Sequence, residues 1–355
     1  MTLSVCMIVK NEEEVLARCL DGVKAFADEI IIADTGSEDS TVAIAEKYTD
    51  KIFSFDWCDD FSAARNFSFS KATCDLVMWL DADDVVEDKD AAEICRLKEQ
   101  MKDYDMAFLE YVIPGTDGRP LMCYCRERIF RRTQNYVWEG AVHEAISPRG
   151  RILYSSAKIV HKKVRPSQPM RNLRIYQKII SQGGKLCARD RFYYGRELFY
   201  NGMYCESCAV LEDFLAGNGW IENKAEACIM LYSAYLAEGK VQKATSSLLK
   251  SFEYGLPKSR VCCLLGERFF SKGDFETSIF WYKTAAALPQ NICSGAFIDC
   301  DSSAFIPYMQ LCVIYDRMGD YKKACYYNNL AGSIRPDNPG YLYNKRYFKE
   351  KHQLG

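Results

Sequence analysis

The run D-L-V-M-W-L-D-A-D-D, from Asp75 to Asp84, decides how this chain is read. Its apolar half, residues 75–80, has the length and composition of a buried strand. Where that strand ends, it delivers the carboxylates of Asp81 and Asp83 to one side of the sheet edge. Carboxylates set side by side repel one another unless a cation or a hydrogen-bonded hydroxyl compensates. Mg²⁺ or Mn²⁺ suits that role, being hard, oxygen-liganded and commonly shared with phosphates. Taken alone, acidic residues after a strand read equally well as a helix cap.

Upstream, short apolar runs alternate with amphipathic stretches. Leu3–Val9 reads as a buried strand. Asn11 reads as a helix N-cap, with Glu12, Glu13 and Glu14 in the first turn and Val15, Leu16, Cys19, Leu20 and Val23 as the apolar stripe. Residues 29–33 and 51–55 read as further strands, separated by a helix capped at 37–40 and running to Tyr48. Residues 61–71 are helical, and 152–160 form a later strand that ends at His161. Repeated βα units imply a mostly parallel, Rossmann-like sheet covered by helices, with ligands beyond the carboxyl ends of its strands.

Beyond about residue 165 the strand signal stops and helical segments run to the end. Three turns align: Ala237-Glu238-Gly239-Lys240, Ser271-Lys272-Gly273-Asp274-Phe275 and Arg317-Met318-Gly319-Asp320-Tyr321. Gly239 to Gly273 is 34 residues, the tetratricopeptide period, and the longer step of 46 to Gly319 places a loop at 293–303. Gly202 marks a degraded earlier copy. The expected organisation is an α/β domain over 1–165, a linker helix over 166–190 and an all-α tetratricopeptide-like domain over 191–355.

Five ordered motifs in the first half resemble the family 2 glycosyltransferases of the GT-A fold. They are S-V-C-M-I-V-K-N-E at Ser4–Glu12, D-T-G-S-E-D-S-T at Asp34–Thr41 and F-S-A-A-R-N at Phe61–Asn66. The L-D-A-D-D at Leu80–Asp84 follows, and then R-I-F-R-R at Arg128–Arg132 with W-E-G-A-V-H-E at Trp138–Glu144. The resemblance implies a donor site for a nucleoside-diphosphate sugar, usually of uridine, lined by Val9 and Asn11. Glu12 and Asp34 would hold the base, Arg65 would lie beside the base or diphosphate, and Asp81 would take the ribose. Asp83 would bind the metal, with His161 as a further ligand. Inverting transfer needs one carboxylate base, which points to Glu144, with Glu139 and Asp84 as competitors. Trp138 and His143 would contact the acceptor or support those that do. Residue by residue, plainer readings stand beside these: Glu12 as a helix-turn acid, Asp34 as a turn residue, Arg65 as an ion-pair partner and His161 as a structural strand end.

Composition narrows the classes. A net charge of −2 leaves no strong field for nucleic acid. The opening residues lack a signal peptide's pattern and no apolar run is long enough to span a bilayer, so a cytoplasmic protein is expected. The 17 cysteines then read as reduced and mostly structural. Q-x-x-R-W and membrane helices, features of polymerising relatives, are not seen, which favours single additions. Fusion of such a domain to repeats resembles bacterial peptide glycosyltransferases and implies a peptide or protein acceptor. The alternatives are a cell-surface or lipid-linked glycan as acceptor, an inactive scaffold that binds a protein through the repeats, or repeats that only pair two copies of the chain.

Overall fold

The computed structural model describes residues 1–164, 168–291 and 295–354. The chain divides into two compact units, Met1–Asn201 with Ile292–Phe297, and Gly202–Asn291 with Ile298–Gly355.

The first unit runs β1 (Leu3–Val9), α1 (Leu16–Val23), β2 (Glu29–Asp34), α2 (Thr41–Ala45), β3 (Ile52–Ser54), α3 (Phe61–Ser70), β4 (Leu76–Trp79), β5 (Asp84–Val85) and α4 (Asp88–Gln100). It continues through β6 (Met106–Pro114), β7 (Pro120–Arg131), β8 (Trp138–Glu139), β9 (Ala145–Ile146), β10 (Ile152–His161), α5 (Arg171–Ser181) and α6 (Ala188–Tyr200). The main sheet has the order β3-β2-β1-β4-β7-β6-β10-β5. Strands β3, β2, β1 and β4 are mutually parallel, whereas β7 runs antiparallel to both β4 and β6. Beyond that hairpin β10 returns parallel to β6, and β5 closes the edge antiparallel to β10.

The continuous apolar runs of β1, β2 and β4 follow from burial on both faces. Leu3, Val5, Met7 and Val9 pack with Leu16, Leu20, Val23, Ile94 and Leu97 in one core. Cys6, Ile31, Val77 and Ala72 make a second, with Phe53 and Phe69 against it. The expected parallel α/β architecture is therefore present, with an antiparallel hairpin inserted at its centre.

Three local expectations change. Asn11 caps no helix: it sits at φ +55° and α1 begins only at Leu16, after a turn closed by Glu12. The segment is held across the sheet edge instead, as Asn11 Oδ1 accepts from Glu38 N–H at 2.8 Å and Glu13 Oε2 from Ser40 N–H at 3.1 Å. Helix α2 stops at Ala45 rather than Tyr48. The domain boundary also moves, because α5 and α6 fall within the first unit. Residues 166–167 of the expected linker and residues 293–294 of the expected loop lie outside the described residues.

The second unit is all helical in its main elements: α7 (Tyr204–Ala216), α8 (Ile221–Ala237), α9 (Val241–Lys250), α10 (Ser259–Ser271), α11 (Phe275–Ala287), α12 (Phe305–Arg317), α13 (Tyr321–Ile334) and α14 (Pro339–His352). The repeated glycines join α8 to α9, α10 to α11 and α12 to α13. Gly273 and Gly319 lie at φ +78° and +79°, and the next N–H reaches back to Phe269 O and Tyr315 O, a Schellman ending that suits glycine. Asp274 and Asp320 then cap the following helices by accepting from Thr277 N–H and Lys323 N–H, both at 3.1 Å. The Gly-Asp pair of the repeat thus ends one helix and starts the next. Gly266 is required by packing: a Cβ there would lie 2.8 Å from the Tyr282 ring.

One buried acid ties the strand starts together. Glu29 accepts from the Ser4 hydroxyl, the Lys51 ammonium, and Thr73 N–H and Oγ1 at 2.9 and 2.7 Å. Burial alone would raise its pKa, but these donors outweigh it and bring the carboxyl from 4.5 to about 2. A depressed folded pKa contributes stability above the unfolded value, and that stability is lost as pH falls from 4.5 toward 2. The full shift corresponds to at most about 3 kcal/mol. Glu29→Gln should therefore lower urea-unfolding stability at pH 7 by roughly 2–3 kcal/mol. The gap to wild type should narrow steadily below pH 4.5; a constant gap across pH would assign the loss to packing.

Candidate functional site

At the carboxyl edge of the parallel strands, Val9 and Asp34 stand in register on β1 and β2. The Val9 carbonyl accepts from Thr35 N–H and Oγ1 at 2.9 and 3.0 Å. The Asp34 carboxylate turns onto its own loop, taking Gly36 N–H at 3.2 Å and Ser37 N–H at 3.1 Å. Glu12 N–H donates to Thr41 Oγ1 at 2.7 Å. The two loops that carry Asn11, Glu12 and Asp34 are thus fastened to each other, which makes a rigid rim.

Arg65 lies at the centre of the next layer. Asp60 caps α3 through Ala63 N–H, and one turn later Arg65 is only 6% exposed. Its Nη2 donates to Asp81 Oδ1 at 2.7 Å and its Nε to Glu144 Oε1 at 2.6 Å. The guanidinium covers the rings of Trp79 and Trp138, 4.6 and 5.0 Å from their centroids. Burial would raise the Asp81 pKa, but the Arg65 charge brings it down to about 2, so this carboxylate stays ionised. The ion-pair reading of Arg65 describes its observed contacts. The neighbouring Asn66 clamps the Trp138 backbone from both sides, N–H to Oδ1 at 2.9 Å and Nδ2 to O at 3.0 Å.

The third group forms where β5 meets β10. Their antiparallel register sets His161 opposite Asp84, and Lys162 N–H donates to Asp83 O at 2.9 Å. His161 Nδ1 faces Asp83 Oδ1 at 3.2 Å and Asp84 Oδ1 at 3.5 Å, buried and without hydrogen-bond alignment to either. One atom from each of Asp83, Asp84 and His161 falls within 4.8 Å of the others. A buried nitrogen aimed between two carboxylates fits a divalent cation, whose ligands are O and imidazole N. Burial would depress the imidazole pKa, but the two carboxylates raise it to about 10, so the site carries a proton that a cation would displace.

Asp84 was not foreseen here. It is fully buried, accepting from Tyr111 Oη at 2.8 Å, Arg128 Nη1 at 3.1 Å and Asp81 N–H at 3.1 Å. That burial removes it as a competitor for the base. Arg128 itself is sandwiched between Trp79 and Tyr111.

The loop 140–144 supplies the remaining residues. Trp138 is 2% exposed and packs on Trp79 and Phe69, so it supports Arg65 and does not reach an acceptor. His143 adopts φ +53°, stacks on Tyr193 at 4.2 Å and bonds Glu197 Oε1 through Nε2 at 2.7 Å. Glu144 turns to Arg65 through Oε1, and its Oε2 has no hydrogen bond among the described residues. Glu139 is exposed on β8. Sequence reading missed Tyr193 and Glu197 because they sit on α6, in a segment assigned to linker and repeats.

Comparison with known proteins places these features. Residues 4–150 match the family model Glycosyl transferase family 2. A TPR repeat-containing protein of Synechococcus elongatus is 52% identical over 82 residues, 23% of this chain and 20% of that protein. The SPbeta prophage-derived glycosyltransferase SunS of Bacillus subtilis is 26% identical over 210 residues, 56% of this chain and 49% of that protein. This chain therefore spans between a fifth and about half of the length of these two relatives. Among solved structures, S. aureus TarS 1–349 in complex with UDP-GlcNAc is similar with a TM-score of 0.42 at 15% identity, covering 71% of this chain and 92% of that one. MamA is similar with a TM-score of 0.36 at 20% identity, covering 45% and 85%. No helix among the described residues is long and apolar enough to cross a membrane. The α/β domain is thus similar over residues 4–150 to glycosyl transferase family 2, with a GT-A-like architecture, and tetratricopeptide-like helical repeats follow it.

Proposed function

We propose that this chain transfers a sugar, with inversion, from a nucleoside-diphosphate sugar, uridine being the expected base, to a peptide or protein acceptor. The observation that carries this reading is the grouping of Asp83, Asp84 and His161 beside an ionised Asp81, at the end of β4 in a family 2 domain. Asp83 and His161 would hold Mn²⁺ or Mg²⁺, with Asp84 fixed behind them by Tyr111 and Arg128. Such a cation supplies Lewis-acid neutralisation of a diphosphate leaving group. The rim of Val9, Asn11, Glu12 and Asp34 forms the base end of the donor site, and Asp81 offers a charged acceptor to a ribose hydroxyl.

Glu144 is assigned the base. With Oε1 on Arg65, its Oε2 is left to take a proton from an incoming acceptor. Arg65 then works as a frame that keeps the donor-side Asp81 and the acceptor-side Glu144 apart. In the repeat unit, a cleft of about 500 Å³ lined by Leu215, Leu231, Tyr235, Lys243 and Lys250 supports the peptide reading of the acceptor.

A thermal-shift screen of nucleotides with and without Mn²⁺ tests the donor site. UDP with Mn²⁺ should raise the melting temperature, and Asp83→Ala should abolish that rise while keeping the unliganded melting temperature. An unchanged response in Asp83→Ala would remove Asp83 from the site. Glu144→Gln should cut turnover by about 10²-fold or more with donor affinity nearly unchanged. Collapse of donor binding would move Glu144 into the donor pocket. Arg65→Met should cost about 3–5 kcal/mol in urea unfolding, because it strands two carboxylates against apolar surface. Arg65→Lys should fall between, lacking the forked geometry, and equal stabilities would show that the frame is dispensable.

A further inference from the structure

The loop that presents Glu144 is built almost wholly from contacts made by other segments. Ala141 O accepts from Phe61 N–H at 2.9 Å. Val142 O accepts from the Tyr176 hydroxyl of α5 at 3.3 Å. His143 O accepts from Nε and Nη2 of Arg189, on α6, at 3.2 and 3.0 Å. The His143 ring lies flat on Tyr193, with 18° between the planes, and Nε2 meets Glu197 at 2.7 Å. Glu197 Oε1 is itself held by Asn172 Nδ2 at 3.3 Å.

His143 needs this support. A histidine at φ +53° is in the left-handed region, which persists only where surroundings over-determine it. That residue stands between the buried Val142 and Glu144, whose carboxylate meets Arg65 Nε at 2.6 Å. Gly140, at φ +96°, makes the companion turn two residues after Trp138.

We propose that Glu197, Tyr193 and Arg189 of α6 are positioning residues for the proposed transfer, acting through His143 to hold Glu144 on the acceptor side. All three lie beyond residue 150, where the family match ends. The inference rests on the base role proposed for Glu144, but its structural half stands by itself. A neutral imidazole donates Nε2–H to the Glu197 carboxylate, an arrangement that a glutamine oxygen can also accept. Burial pushes the His143 pKa down despite Glu197, which agrees with a neutral ring.

The test compares the full chain with Glu197→Ala, Glu197→Gln and Arg189→Gln in two assays. Hydrogen exchange followed by mass spectrometry reads the protection of residues 139–146. Hydrolysis of UDP-GlcNAc with Mn²⁺, water standing in for the acceptor and UDP plus free sugar as products, reads turnover. Glu197→Ala should raise exchange in 139–146, leave the 34–41 loop unchanged, and lower kcat by roughly 10- to 100-fold. The KM for UDP-GlcNAc should stay within about threefold of wild type. Glu197→Gln should recover most of the loss, and Arg189→Gln should reproduce it if Glu197→Ala fails to fold. Unchanged protection in both Glu197→Ala and Arg189→Gln overturns the proposal, as does a parallel rise in KM and fall in kcat. If wild type neither binds UDP nor releases it, the transferase reading fails, and the exchange comparison alone decides whether α6 holds the loop.

Discussion

A buried guanidinium between two carboxylates sets the terms for the site. Taking Arg65 out of water is costly, and the cost is offset only because Asp81 and Glu144 both reach it and two indole faces enclose it. Each partner comes from a different part of the fold: Arg65 from α3, Asp81 from the turn after β4, and Glu144 from the loop between β8 and β9. The requirement that they converge fixes those elements together. It also accounts for the residues around Arg65 in its motif. Asp60 starts the helix, Phe61 N–H takes the loop carbonyl of Ala141, and Asn66 grips the backbone of Trp138. The F-x-x-A-R-N stretch is thus a helix face shaped to read the loop that carries Glu144.

Three aspartates within four residues meet three different environments. Asp81 is paired with Arg65 and stays charged well below the ordinary carboxylate range. Asp84 is sealed by Tyr111, Arg128 and the Asp81 N–H, which leaves it fixed in place. Asp83 keeps partial exposure and faces the imidazole of His161. Identical side chains therefore differ by burial and partner, and in the proposed site they would serve as a donor-side anchor, an internal brace and a ligand with room for a cation and its other ligands. The three-aspartate run needs all of these partners, since unpaired it would be self-repelling.

Much of this was legible before any coordinates. The period of apolar runs located β1, β2 and β4, since strands buried on both faces must be apolar throughout. The repeats were legible because glycine and aspartate have separate backbone tasks at each turn, ending one helix and capping the next. The resemblance implied Asp83 and His161 as metal ligands, and their side chains do face each other at 3.2 Å. What escaped was whatever depends on register or long-range packing. That His161 stands opposite Asp84 follows from a two-residue strand, which carries no periodicity. Asn11 has a capping residue's composition, yet its side chain serves a loop 27 positions away. Glu197 and Tyr193 looked like one more aromatic, charged helix because the contact that matters to them is with His143, over 50 residues earlier.

This last case bears on where a catalytic domain ends. The family match covers 4–150, and His161 closes the cation group shortly after it. By those criteria the α/β domain would be complete once β10 is formed. The loop at Glu144 says otherwise, since Tyr176, Arg189, Tyr193 and Glu197 fasten two consecutive residues of it, Val142 and His143, from α5 and α6. The donor half of the proposed site depends on strand ends and their short loops, which form with the sheet. The acceptor half depends on helices that join the sheet only after the chain has passed residue 170. The helices that complete the second half are the ones that lead into the repeats along the chain. In the proposed site, therefore, the Glu144 loop answers to α5 and α6, while the groups around Asp34, Asp81 and Asp83 answer to β1, β2, β4 and β10.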